Sequence, residues 1–114
     1  MTPYQTGRAF ESKVAEHFRG LGYFALRSPG SKSKIDVIAI KPFRVLFVQC
    51  KRTGKLDPAE WNELFAIASA CGATPLLASY VPRKPIIFEQ LMGLKDGSGR
   101  SQPKRPWPGW PAKP

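Results

Sequence analysis

Three short apolar runs crowd into one part of the chain: YFALRS (residues 23–28), IDVIAI (35–40) and RVLFVQCK (44–51). The turn at Lys41-Pro42 leaves almost no linker between the second and third, a spacing that predicts an antiparallel meander. On either side the periodicity is helical. Phe10, Val14, Phe18 and Leu21 form an apolar stripe, which Gly20 and Gly22 close. Thr2, Pro3 and Gln5 fit a capped start for this helix, with Thr6 as an alternative start. A second helix begins at Asp57, with Pro58 at its first position and Glu60 completing a capping box, and ends at Gly72. Trp61, Leu64, Phe65, Ala68 and Cys71 are its expected buried face. TPLLASYV (74–81) then reads as a buried strand and IIF (86–88) as a short edge strand directly after Pro85. The order is α-βββ-α-β-β, an α/β domain of three layers or a variant of it.

The chain of 114 residues has the size of one domain. Residues 1–92 carry the globular pattern. Residues 93–114 are rich in Pro, Gly and Trp and strongly basic, a composition that predicts an extended, flexible tail. Such a tail should be dispensable for folding; it should either add nucleic-acid affinity, with Trp107 and Trp110 free to stack on unpaired bases, or serve only as a solubilising extension. No apolar run is long enough to span a membrane, and the N-terminus lacks a secretory h-region, so the expected location is intracellular, in the cytoplasm.

Charge narrows the partners. Eighteen Lys and Arg against eight Asp and Glu leave a formal net charge of +10. That excess suits a polyanion: nucleic acid first, an anionic membrane surface second. Cys50 and Cys71 are too few for a disulfide framework, have no metal-ligand spacing, and are expected to be buried, reduced thiols. His17 is the one histidine. That argues against a histidine-based triad or zinc cluster and leaves His17 as a partly buried helix residue.

Some polar residues fall where a purely structural pattern would not put them. Asp36 lies within IDVIAI, and a carboxylate among buried residues is costly unless it is paired or binds a cation. In the third run, Val45, Phe47, Gln49 and Lys51 share one face and Leu46, Val48 and Cys50 the other. If the second and third strands pair, Asp36 can lie across from Gln49 and Lys51. Glu11 on the first helix can approach the same edge, and Ser31 is in the loop just before Asp36. Two carboxylates, an amide oxygen and a lysine at a sheet edge suit a hard cation such as Mg²⁺. The same residues could equally form an Asp36–Lys51 ion pair.

These residues carry a resemblance. G-R-A-F-E (Gly7 to Glu11), R-S-P-G-S-K-S-K-I-D (Arg27 to Asp36), V-Q-C-K (Val48 to Lys51) and A-T-P-L-L-A (Ala73 to Ala78) resemble the PD-(D/E)xK nuclease superfamily. More narrowly, over about residues 5–92, they resemble the archaeal-type Holliday junction resolvases, which some viruses also carry. The resemblance implies a restriction-endonuclease-like α-βββ-α-β-β domain with a mixed central sheet flanked by helices. It implies an endonuclease that resolves four-way DNA junctions by paired nicks, as a homodimer, with Mg²⁺ or Mn²⁺. It makes Glu11, Asp36 and Lys51 catalytic, with Ser31 assisting, and Asp36, Gln49 and Glu11 the metal ligands. Arg8, Arg27, Lys32, Lys34, Arg52 and Lys55 become candidate DNA contacts. The chain departs from the pattern at Gln49, where the family has glutamate, so Gln49→Glu is expected to tighten Mg²⁺ binding. It departs again at Ser12, where some members carry arginine; Arg8, one turn earlier, is the candidate to replace that phosphate contact. Two other functions fit the same residues: a nuclease on duplex or flap DNA, and a non-catalytic basic DNA-binding module.

Overall fold

The structure is a computed structural model that describes residues 3–28, 35–96 and 103–107, with side chains of the first helix described from Gly7 onward. Helix α1 (Pro3–Gly20) leads into strands β1 (Phe24–Arg27), β2 (Val37–Lys41) and β3 (Arg44–Cys50). Helix α2 (Pro58–Cys71) follows, then β4 (Thr74–Ser79), β5 (Ile87–Leu91) and β6 (Lys104–Pro106). The six strands form one sheet in chain order. Every neighbouring pair is antiparallel except β3 and β4, which run parallel because α2 crosses over between them.

Alternation along the strands divides the core in two. Phe10, Val14, Ala15 and Phe18 of α1 pack with Ala25, Val37, Ala39, Leu46, Val48, Leu76 and Ala78 on one sheet face. Trp61, Leu64 and Ala68 of α2 pack with Phe47, Leu77 and Leu91 on the other. The result is three layers, α/β/α, as the element order implies. Asp57 caps α2 by accepting a hydrogen bond from the Glu60 amide (2.8 Å), and Gly72 ends it in the left-handed region at φ 68°. The capping residues expected for α1, Thr2 and the Gln5 side chain, lie outside the described residues.

Two expectations for α2 fail. Phe65 is only half-buried, and Cys71 is exposed rather than buried. The apolar spacing runs to the end of the helix, but the fully buried positions stop at Ala68.

The larger correction concerns the C-terminal residues. Gly93 to Asp96 and Pro103 to Trp107 are built into the domain. β6 adds a sixth strand against β5, and Lys104 pairs with Glu89 at 3.0 Å. The Gly93 carbonyl accepts from the indole of Trp61 at 2.8 Å, and Asn62 exchanges two hydrogen bonds with the Lys95 backbone. Trp107 does not stand free for base stacking: it packs on Phe18 and Phe88. Composition suggested a tail because proline and glycine dominate it, yet a short edge strand tolerates Pro106 where its missing N–H is not needed. Trp110 lies outside the described residues.

His17 is exposed by area, but its ring stacks on Phe88 at 4.8 Å and meets Phe18 edge-on. Burial of the ring lowers its pKa from the usual 6.5. The native state therefore binds this proton less readily than the unfolded chain, and the stability it contributes is present above pH 6.5 and lost as pH falls through the lowered value. A melting-temperature series from pH 7.5 to pH 5 should fall more steeply for the wild type than for His17→Asn. Parallel curves would show that the ring titrates as it does in the unfolded chain.

Candidate active site at one end of the sheet

β2 begins where β3 ends, and the unusual polar residues gather there. Asp36 lies one residue ahead of β2 rather than within it. Its amide donates to the Val48 carbonyl at 2.8 Å, and its carbonyl accepts from Ser28 at 2.9 Å. Val37 is opposite Val48 in the ladder, so one step further places Asp36 across from Gln49. The Asp36 carboxylate turns back to accept from the Cys50 amide at 2.8 Å. Both its backbone and its side chain are thus held by the ends of neighbouring strands.

Lys51 lies just past β3. Its amide donates to Ala78 of β4 (2.9 Å), and its carbonyl accepts from Gly54 (2.8 Å), closing a turn. Gly54 has φ 74°, and a Cβ there would come within 3.2 Å of Ser79 Oγ, so the turn requires glycine. The Lys51 ammonium pairs with the Glu60 carboxylate at 3.1 Å.

Gln49 is 5% exposed, one of two buried polar residues in the described core. Its face carries Phe47 toward α2, and its Nε2 donates to Glu60 Oε2 at 3.4 Å. Its Oε1 is buried and has no hydrogen-bond donor among the described residues. Such an oxygen costs about 1–3 kcal/mol if nothing satisfies it. That is the position a cation would satisfy.

Glu11 approaches from α1, on the other side of the sheet's end. Burial raises its carboxyl pKa and the neighbouring Asp36 carboxylate raises it further, while Arg27 and Arg8 oppose the shift. Glu11, Asp36, Arg27 and Arg8 therefore share one electrostatic neighbourhood. Burial first, then Asp36 and Glu11, push the Cys50 thiol far above its ordinary range, so Cys50 is not a thiolate nucleophile. Arg52 is over the Tyr80 ring at 5.7 Å, and Lys55 is exposed. Ser31, Lys32 and Lys34 lie outside the described residues.

Among the described residues no three His, Cys, Asp or Glu side chains gather closely enough to hold a metal ion. A donor set here would consist of Asp36 with the Gln49 carbonyl oxygen, with Glu11 in the same electrostatic neighbourhood. Glu60 is the residue that reading the sequence missed as part of the site. D-P-A-E at a helix start signals capping, and its third residue after the cap looked accounted for. Only its position across from Q-x-K marks it as anything more.

A six-stranded mixed sheet covered by one helix on each face, with this acidic and basic cluster at its end, defines an α/β domain of restriction-endonuclease-like fold. The family model described as archaeal Holliday junction resolvase (Hjc) matches residues 2–99, and the chain belongs to that family. Among solved structures it is similar to Hjc, a Holliday junction resolvase, from the archaeal hyperthermophile Archaeoglobus fulgidus. The TM-score is 0.65 at 23% identity, covering 72% of this chain and 74% of that one. No curated protein is matched. Among the described residues no helix is long and apolar enough to cross a membrane.

Proposed function

We propose that this protein resolves four-way DNA junctions as a homodimer, by divalent-metal-dependent nicks in opposed strands. The observation that carries the metal dependence is the buried Gln49 Oε1, which has no donor among the described residues, on a residue that the ladder sets across from Asp36 and two before Lys51. A neutral amide oxygen and a carboxylate oxygen are hard donors that suit Mg²⁺ or Mn²⁺. When bound, such a cation neutralises charge on the phosphodiester and lowers the pKa of water.

The chain supplies the rest. Asp36 and Gln49 would hold the cation, with Glu11 adding negative charge from α1. Lys51 presents an ammonium beside them, able to orient an attacking water and stabilise charge developing on the phosphate. Hydrolysis forms a bond from water oxygen to phosphorus and breaks the bond to the leaving deoxyribose oxygen, which takes up a proton given up by the water. Arg8 and Arg27, in the electrostatic neighbourhood of Glu11, would meet backbone phosphate. Such contacts position DNA without reading its sequence, which fits recognition of junction shape.

Paired nicks need two sites. Phe24 and Ile40 are cross-strand neighbours on β1 and β2, and both are exposed, as are Leu26 and Phe43. An apolar surface of this kind at the sheet edge supports association with a second copy.

The test uses labelled four-way junction, flap and linear duplex, each with Mg²⁺ and with EDTA. Symmetric junction nicks that EDTA stops are expected. Cuts confined to flap or duplex, or binding without cuts, would replace this reading with another nuclease or a binding module. Sedimentation should give the mass of two chains. Affinity should fall steeply with salt, with a slope of about −0.9 per phosphate neutralised. A flat dependence would exclude backbone-dominated binding.

A further inference from the structure

Glu60 stands where one carboxylate meets both polar residues of β3's end. Its Oε2 is 3.1 Å from the Lys51 ammonium and 3.4 Å from Gln49 Nε2. The contacts are sheltered: the Glu60 side chain is 20% exposed and that of Lys51 35%. An ionised carboxylate only accepts hydrogen bonds, so it admits the NH₂ end of the Gln49 amide and rejects the oxygen end. A flipped amide would set two oxygens against each other across the same gap. Glu60 thereby decides which way the amide faces. The carbonyl oxygen is turned to the other side, where it is buried without a donor among the described residues.

Among the described residues nothing else has this role. Asp57, the neighbouring acid, is used in capping α2. Glu11 comes from the opposite helix and is coupled to Asp36, Arg27 and Arg8. Among the described residues only Glu60 bridges Gln49 and Lys51, and it does so from the first turn of α2, which Trp61 anchors in the core.

We infer that Glu60 is a positioning residue of the nuclease site. It aims the Gln49 carbonyl oxygen as a ligand for a divalent cation and holds the Lys51 ammonium beside it. Its charge, one residue removed from the cation, stands in for the carboxylate missing at position 49. The inference rests on the metal-facing reading of Gln49 given above. It also reverses an expectation from the sequence: Gln49→Glu alone does not restore a better site. It puts a second carboxylate across the 3.4 Å that a hydrogen bond now spans, and like charges at that distance oppose one another. The exchange Gln49→Glu with Glu60→Gln keeps one charge and one amide, and should restore the arrangement with the two ends swapped.

The experiment titrates Mn²⁺ calorimetrically into DNA-free protein and measures junction cleavage and melting temperature alongside. The proteins are wild type, Asp36→Asn, Glu60→Gln, Gln49→Glu and the double exchange. Glu60→Gln should lose about tenfold or more in Mn²⁺ affinity, the scale seen when a residue that orients a ligand is removed. The double exchange should bind Mn²⁺ at least as well as wild type and better than either single variant. Wild-type affinity in Glu60→Gln, with binding lost in Asp36→Asn, would leave the metal site standing and overturn the role of Glu60. A double exchange as weak as Asp36→Asn would overturn it too, and decides the matter even if Glu60→Gln proves unstable. Equal Mn²⁺ binding by wild type and Asp36→Asn would bring down the metal reading and this inference with it.

Discussion

Asp36→Asn is expected to abolish junction cleavage and leave junction binding intact. The expected loss is about a hundredfold or more, the scale of removing one preorganised electrostatic group from a transition state. Asparagine is nearly isosteric and its carbonyl oxygen can still accept from the Cys50 amide, the bond that now holds the Asp36 carboxylate at 2.8 Å. The fold should therefore survive, and with it the phosphate contacts of the basic surface. Lys51→Ala should show the same separation of cutting from binding. Its ion pair with Glu60 is partly exposed, so losing it should cost at most about 1 kcal/mol of stability. The Asp36–Lys51 ion pair that the sequence also allowed is not made, since Lys51 pairs with Glu60 and the Asp36 carboxylate accepts from the Cys50 amide; a purely structural role for Asp36 in that bond predicts a destabilised Asp36→Asn with no metal-dependent activity to lose. Melting temperature, junction affinity and Mg²⁺-dependent cleavage on the three proteins separate the two. A wild type that binds and never cuts, with a destabilised Asp36→Asn, would sink the nuclease mechanism.

Truncation after Met92 should unfold the domain, the opposite of what composition implies. The cut removes β6 and the packing of Trp107 on Phe18 and Phe88. It also removes the Gly93 carbonyl that accepts from Trp61, a side chain only 1% exposed. Leaving that indole N–H unpaired costs about 1–3 kcal/mol. Losing a half-buried tryptophan adds about 2 kcal/mol, below the 3–5 of a fully buried one. Together with the lost strand pairing this approaches the total stability of about 5–15 kcal/mol usual for a domain. Trp107→Ala alone should lower stability by about 2 kcal/mol and stay folded. Urea unfolding followed by circular dichroism measures both. An unchanged midpoint for the truncated chain would show that residues beyond 92 are an appendage after all.

Much of the fold is local enough to read along the chain. The stripe of Phe10, Val14 and Phe18, the cap at Asp57 and the stop at Gly72 need only neighbours within a turn. The meander from β1 to β3 follows from short connections, and the two-residue period predicts that Gln49 and Lys51 face one way. The acidic and basic residues that suggest phosphodiester chemistry are also plain, since Asp36 is out of place in an apolar run.

What only the tertiary structure decided depends on contacts between distant parts of the chain. Residues 103–107 look like tail because their composition is poor in core-forming side chains. They are held by a strand partner and an aromatic pocket that α1 and β5 supply, which no local pattern reveals. Glu60 looked fully explained as a capping residue. The same helix start that uses its amide for the cap leaves its side chain free to project elsewhere, and the docking of α2 across β3 sends it to Gln49 and Lys51. An amide has two ends of opposite polarity and no intrinsic preference between them. Which end faces the site is set by the charge across from it, and that charge is brought there by packing.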